Sequence, residues 1–292
     1  MATLELTGGG LLEYDDAGRG PGIVFLHGWS LGKGAFGIQR RELSDRYRIV
    51  VPDMRGHGNS TNFCSGDGID TLASDLEQLL VHLDLDNVIL VGWSMGALVA
   101  WEFATGPQGG RVAGIVTIDM VPKVLNGDGW QYGLRSGTHL YDVDIDLTKM
   151  RDDWPAFTRA YVPKVFADGK SAERRELIDK MIDFVSDNNV ESMTHLWTSL
   201  VQADFIDLVQ QLDVPTLITF GKLSQIYTEE AAEWVDQQIP HSQRIGFAES
   251  GHAPHLEEPQ RFNESLAGFA DELQRNRNDI NRRQASIKHR GG

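Results

Sequence analysis

The chain has 292 residues, 41% hydrophobic and 24% charged. That is enough to bury one large core, or a core with an inserted subdomain, and it argues against a small stapled scaffold, a repeat protein or a disordered chain. The formal charge of −15 works against a nucleic-acid surface, which needs Lys and Arg clustered over one face.

The only cysteine, Cys64, cannot form an internal disulfide, and no pair or cluster exists to hold zinc. It reads as a free structural thiol. The opening MATLELTGGG has neither the basic n-region nor the apolar h-region of a secretory signal, and no apolar run reaches membrane-spanning length. A cytoplasmic location is the default expectation, with no nucleic-acid or membrane partner.

Residues 3 to 15 read as a strand pair broken by Gly8-Gly9-Gly10, followed by the turn Ala17 to Gly22. Short apolar runs follow at Ile23–Leu26, Ile49–Val51, Val88–Val91, Ile115–Ile118 and Thr216–Phe220, with a weaker one near Arg244–Phe247. Near-continuous apolarity in β-branched runs indicates strands buried on both faces, as in a parallel sheet. Helical periods lie between them at Thr71–Leu83, Ala97–Thr105, Glu229–Gln238 and Glu258–Gln274. Strand alternating with helix implies a doubly wound α/β fold.

One interval breaks that rhythm. About ninety residues separate the strand ending at Asp119 from the one starting near Pro215, far more than a crossover needs. The expected organisation is a core of residues 1–120 and 206–274 with a helical cap, 121–205, inserted after the sixth strand. The cap carries Trp130, Tyr132, Tyr141, Trp154, Phe157, Tyr161, Phe166, Phe184 and Trp197. Most of these should form its own core, while a few, with Trp130, Trp154 and Trp197 as candidates, face a substrate. The polar, basic stretch 275–292 has almost nothing to bury and is expected to be frayed or disordered.

The strongest local signal is Gly92-Trp93-Ser94-Met95-Gly96, directly after an apolar strand and directly before the helical Ala97–Trp101. A serine on such a strand-to-helix turn has strained backbone angles, and the flanking glycines let strand and helix approach closely. The turn also aims helix-terminal amides, Met95 among them, at developing negative charge. Trp93 beside it is a candidate substrate contact.

Serine needs a base, and histidine has the suitable pKa. Of nine histidines, His252 sits in a loop after the last strand, at the carboxyl edge of the sheet that also carries Ser94. His255 borders the pocket or starts the next helix. His27 and His57 shape loops rather than transfer protons, and His27 is also a candidate to border the substrate.

His27-Gly28-Trp29-Ser30, Arg55-Gly56-His57-Gly58, the serine elbow and Gly251-His252 resemble, in order and spacing, the α/β-hydrolase superfamily over about residues 5 to 272. The resemblance implies an α/β-hydrolase fold and an oxyanion hole built from the amides of Trp29 and Met95. It also implies an acid in the loop after the seventh strand, but Ser224 stands there and cannot balance an imidazolium by charge.

Asp119, ending the sixth strand beside the one that carries Ser94, is similar to the relocated acid of some haloalkane dehalogenases. It also matches a group of small bacterial acyl esterases that pair such an aspartate with a serine at the usual position. Asp119 is therefore expected to be the acid with Ser224 as a helper; Glu229 and Glu230 are the fallback, too far into the next helix.

Dehalogenase or epoxide-hydrolase chemistry would need a carboxylate where Ser94 stands. The leading expectation is hydrolysis of a small apolar carboxylic ester, thioester or lactone through an acyl-Ser94 intermediate, without metal or organic cofactor. A cofactor-free perhydrolase and a binding protein with a slow or silent triad are the alternatives.

Overall fold

The structure is a computed structural model that describes residues 1–7, 9–60, 66–127, 129–137, 140–167 and 172–290. Cys64 lies outside the described residues. Eight strands form one sheet: β1 (Ala2–Glu5), β2 (Leu11–Ala17), β3 (Gly22–Leu26), β4 (Arg48–Pro52), β5 (Val88–Trp93), β6 (Val112–Ile118), β7 (Thr216–Gly221) and β8 (Ser242–Phe247). Their spatial order is β1-β2-β4-β3-β5-β6-β7-β8. β1 and β2 run antiparallel at one edge, and all pairings from β4 to β8 are parallel.

The side-chain period of two explains how such uniformly apolar strands are used. In β3, Val24 and Leu26 point into one core and Ile23 and Phe25 into the other. β5 divides the same way, Val88 and Leu90 against Ile89, Val91 and Trp93. Helices cover both faces. α1 (Gly37–Leu43) connects β3 to β4, α2 (Ile69–His82) precedes β5, and α3 (Met95–Thr105) follows it. α1 was not among the expected helices, because its seven residues are too short to display a period.

Between β6 and β7 lie α4 (Leu140–Asp152), α5 (Trp154–Tyr161), α6 (Ala172–Ser186), α7 (Val190–Gln202) and α8 (Ile206–Val209). Asp153 and Asn189 cap α5 and α7 by accepting the amides of Ala156 and Ser192, which satisfies amides that have no partner inside the helix. α9 (Glu229–Gln238), α10 (Pro254–Glu257) and α11 (Pro259–Arg290) complete the chain.

The stretch expected to fray at 275 is instead the distal part of α11, which continues to Arg290. Its first half is anchored by Phe262, Leu266, Phe269 and Ala270 in the core. Once that half is formed, each further residue adds a hydrogen bond without a new nucleus, so the exposed residues 274–279 prolong the helix without burying anything. Among the described residues, no helix is long and apolar enough to cross a membrane.

Candidate active site

β5 occupies the middle of the sheet and ends in Trp93; Ser94 follows with φ +52° and ψ −121°, and α3 starts at the next residue. A non-glycine residue is seldom held at positive φ unless its surroundings fix it. Here the Ser94 amide donates to Ile118 O at 3.0 Å and its carbonyl accepts from Ala97 N at 2.8 Å. A Cβ at Gly96 would strike the Leu26 carbonyl, and one at Gly92 the start of α3. The two glycines are therefore required by close approach of β3, β5 and α3.

Asp119 continues β6 by one residue, also at positive φ (+46°), with its amide on Thr219 O at 2.8 Å. Its Oδ2 lies 2.7 Å from His252 Nδ1 and accepts Ser224 Oγ–H at 2.7 Å. Both members of the Asp119–His252 pair are buried, with side chains 3% and 6% exposed, and this holds the imidazole in the tautomer that leaves Nε2 free to accept a proton. Ser224 Oγ in turn accepts the amides of Ile226 and Tyr227 at 3.2 and 3.3 Å, so one hydroxyl ties the β7 loop to the carboxylate. The Tyr227 ring packs 5.8 Å from His252. Burial, with the Asp119 charge behind it, pushes the Tyr227 phenol well above its ordinary pKa.

The backbone of His252 is gripped from two sides. Its carbonyl accepts Trp93 Nε1–H at 2.8 Å and its amide donates to Val165 O at 2.8 Å. Glu257 receives the amides of Gly251 (2.6 Å) and Ala167 (3.0 Å) and pairs with Arg174 Nε at 2.9 Å. Burial raises its pKa to about 7 against these three donors. Glu258 receives Glu249 N and Ser250 Oγ. Two consecutive glutamates thus fix the loop that carries the histidine.

The strap after β3 completes the site. A Cβ on Gly28 would lie 3.4 Å from Ser94 Cβ, which puts the start of the strap against the Ser94 turn. His27 and His57 bind the strap and the 53–60 loop together. His27 Nδ1 donates to Gly28 O (2.8 Å) while Nε2 accepts Met54 N (2.9 Å). His57 Nε2 accepts Ser30 N (3.1 Å) and Nδ1 donates to Arg55 O (3.1 Å). Both rings are fully desolvated, which lowers both pKa values, that of His57 to about 3. Met95, the first residue of α3, has an amide without an acceptor inside its own helix.

Gly28, Trp29, Trp93, Ser94 and His252 line a cavity of about 290 Å³. Its walls are largely apolar, with Leu31, Val124, Leu134, Phe157, Trp197 and Leu200, while Asp146, Lys149 and Lys164 add charge from the inserted segment. A more open groove of about 410 Å³ beside residues 66–70 and α7 holds Asp67, Asp70, Glu102 and His195. Its Ser199 hydroxyl accepts Ile69 N at 3.2 Å. Among the described residues, no group of three or more His, Cys, Asp or Glu is arranged to hold a metal ion.

Of the expected substrate contacts, Trp93 and Trp197 line the cavity and three others do not. His27 is wholly buried behind the strap. Trp130 packs 4.8 Å from Trp234 with Nε1 on Lys123 O, and Trp154 packs on Trp29 and Phe157 with Nε1 on Val185 O. Both indole N–H groups are satisfied by backbone carbonyls, and these two rings serve internal packing. The side chain of Tyr141 lies outside the described residues. His255 does not border the cavity: it is buried between Phe36 and Trp93. Glu229 and Glu230 start α9, where Glu229 faces Arg244 at 3.8 Å. Tyr227, Glu257 and Asn188, which donates to Ser30 O at 2.6 Å, carry no motif signature.

With this geometry in hand, the fold and the elbow define an α/β-hydrolase-type protein, and comparison agrees. The chain belongs to the alpha/beta hydrolase family, whose model matches residues 23–265. The AB hydrolase superfamily protein YisY of Bacillus subtilis is 30% identical over 262 residues, 89% of this chain and 95% of that protein. A pimeloyl-[acyl-carrier protein] methyl ester esterase of Vibrio cholerae is 28% identical over 263 residues, 89% and 98% of the two chains. Among solved structures, the esterase EaEST of Exiguobacterium antarcticum superposes with a TM-score of 0.86 at 27% identity, covering 92% of this chain and 98% of that one.

Proposed function

We propose that this chain is a carboxylic ester hydrolase that works through an acyl-Ser94 intermediate on a small, largely apolar ester, thioester or lactone. The observation that carries the reading is the buried Asp119–His252 contact of 2.7 Å on the cavity that Ser94 also lines. The esterase names of the Vibrio and Exiguobacterium relatives support it.

In the first half-reaction, His252 Nε2 takes the Oγ proton as Ser94 attacks the acyl carbon. The carbonyl oxygen becomes an oxyanion held by the Trp29 and Met95 amides, and Asp119 balances the imidazolium. Collapse breaks the bond to the leaving group, which departs with the proton from His252. Water, deprotonated by His252, then attacks the acyl-serine; collapse of the second oxyanion releases the acid and restores the Ser94 hydroxyl. The apolar lining favours a short acyl or ring group, and the location of the acid leaves the β7 loop with a hydroxyl rather than a charge.

The test is turnover of short p-nitrophenyl esters, simple lactones and acyl thioesters by wild type and Ser94→Ala. Saturable hydrolysis of at least one class, lowered by roughly 10³-fold or more in the variant, is expected. Turnover that survives in Ser94→Ala, or no turnover of any class, would overturn the reading.

A further inference from the structure

The strap residues on either side of Trp29, which lines the cavity, are held by the inserted helical segment as well as by the 53–60 loop. Ser30 sits at φ +66°, a conformation that costs a non-glycine residue about 1–3 kcal/mol and persists only when contacts impose it. From below, His57 accepts its amide. From above, Tyr161 Oη at the end of α5 lies 2.9 Å from Ser30 Oγ, and Asn188, just before α7, donates Nδ2–H to Ser30 O at 2.6 Å. The Trp29 side chain is buried in the core shared by the sheet and the inserted segment. It enters the inserted segment, donates Nε1–H to Met193 O at 3.0 Å and packs 5.0 Å from Trp197 and 5.4 Å from Tyr161.

We propose that Tyr161 and Asn188 are positioning residues for catalysis: seating of the inserted segment on the strap sets the Trp29 amide in place, so the oxyanion hole is complete only when that segment is docked. This rests on the ester-hydrolase reading of Ser94. The chemistry follows from geometry. A strained peptide released from its clamps relaxes toward ordinary φ values and rotates the neighbouring amide, and an oxyanion donor loses its effect when it turns away from the developing charge. Asn188 is the cleaner probe, since it is not among the residues that line the cavity and reaches the strap only through the Ser30 carbonyl.

The experiment compares wild type, Asn188→Ala, Asn188→Ser and Tyr161→Phe with a short p-nitrophenyl ester, and measures in parallel the rate at which a p-nitrophenyl phosphonate labels Ser94. Circular dichroism identifies the variants that keep the fold; Tyr161→Phe retains the ring and removes only the hydroxyl. The expected result is a kcat lowered about tenfold, KM within about twofold of wild type, and phosphonylation slowed by a similar factor, because the phosphoryl oxygen needs the same hole. If the folded variants keep kcat and labelling within about twofold of wild type, or change KM alone, the inference fails while the reading of Ser94 stands. If wild type shows neither turnover nor labelling at Ser94, the reading itself fails and the inference with it.

Discussion

Ser224 Oγ and His252 Nδ1 converge on one atom: each lies 2.7 Å from Oδ2 of Asp119. In the proposed mechanism the hydroxyl stands where a β7-loop carboxylate would act, and the carboxylate at the end of β6 supplies the charge. Asp119→Asn should therefore lower kcat by about 10³–10⁴-fold, since the amide can stabilise the wrong imidazole tautomer. Ser224→Ala should cost about tenfold or less, as it removes a single hydrogen bond to a charged group. Asp119→Asn combined with Ser224→Asp should recover part of the loss. Steady-state kinetics on the three variants decide the matter, and near-full activity in Asp119→Asn would sink the assignment.

His255 is fully buried, and among the described residues neither ring nitrogen has a partner. Burial holds its pKa well below 6.5, with the neighbouring His252 acting in the same direction. A base depressed in the folded state stabilises fully above its unfolded pKa and loses that contribution as pH falls. The loss here begins near 6.5, and His57, whose folded value is about 3, adds to it between 6.5 and 3. His255→Leu removes both the orphaned polar atoms and one of the protons taken up on unfolding. Its melting temperature should exceed that of wild type by more at pH 5 than at pH 8. An equal or smaller gain at pH 5 would contradict the argument.

Trp197 lines the cavity, and its Nε1 has no hydrogen-bond partner among the described residues. Trp197→Phe forfeits no hydrogen bond and should leave short-ester turnover near wild type. Trp197→Ala enlarges the cavity, and if the acyl group lies against Trp197 it gains room there. It should raise the ratio of kcat/KM for an octanoyl over a butanoyl ester by about tenfold, in line with the worth of one or two methylenes in an apolar pocket. An unchanged ratio would place the acyl group elsewhere.

The placement of Ser94, His252 and Asp119 at strand ends or in a loop on one edge of the sheet was legible because the alternating strand–helix pattern dictates those positions. The strands behind them are uniformly apolar runs, which only a doubly covered sheet accommodates. The contacts of the inserted segment were hidden for the opposite reason. Trp130, Trp154 and Trp197 carry the same local signal, yet only Trp197 reaches the cavity; which way a tryptophan points depends on helix packing across more than a hundred residues of sequence. Asn188 and Tyr161 reach residue 30 by hydrogen bonds, contacts of high sequence separation that no periodicity encodes. The helix beyond residue 275 was missed because its polar surface lacks an apolar stripe, although an anchored helix does not need one to continue.

Trp29 lines the cavity beside Ser94 while its side chain is embedded in the inserted segment. Anyone who grafts a foreign lid onto this scaffold to change what it accepts should therefore move residues 28–31 with the lid. A chimera that keeps the native strap would leave an indole without its acceptor at Met193 and would need to rebuild the anion-binding geometry as well as the pocket.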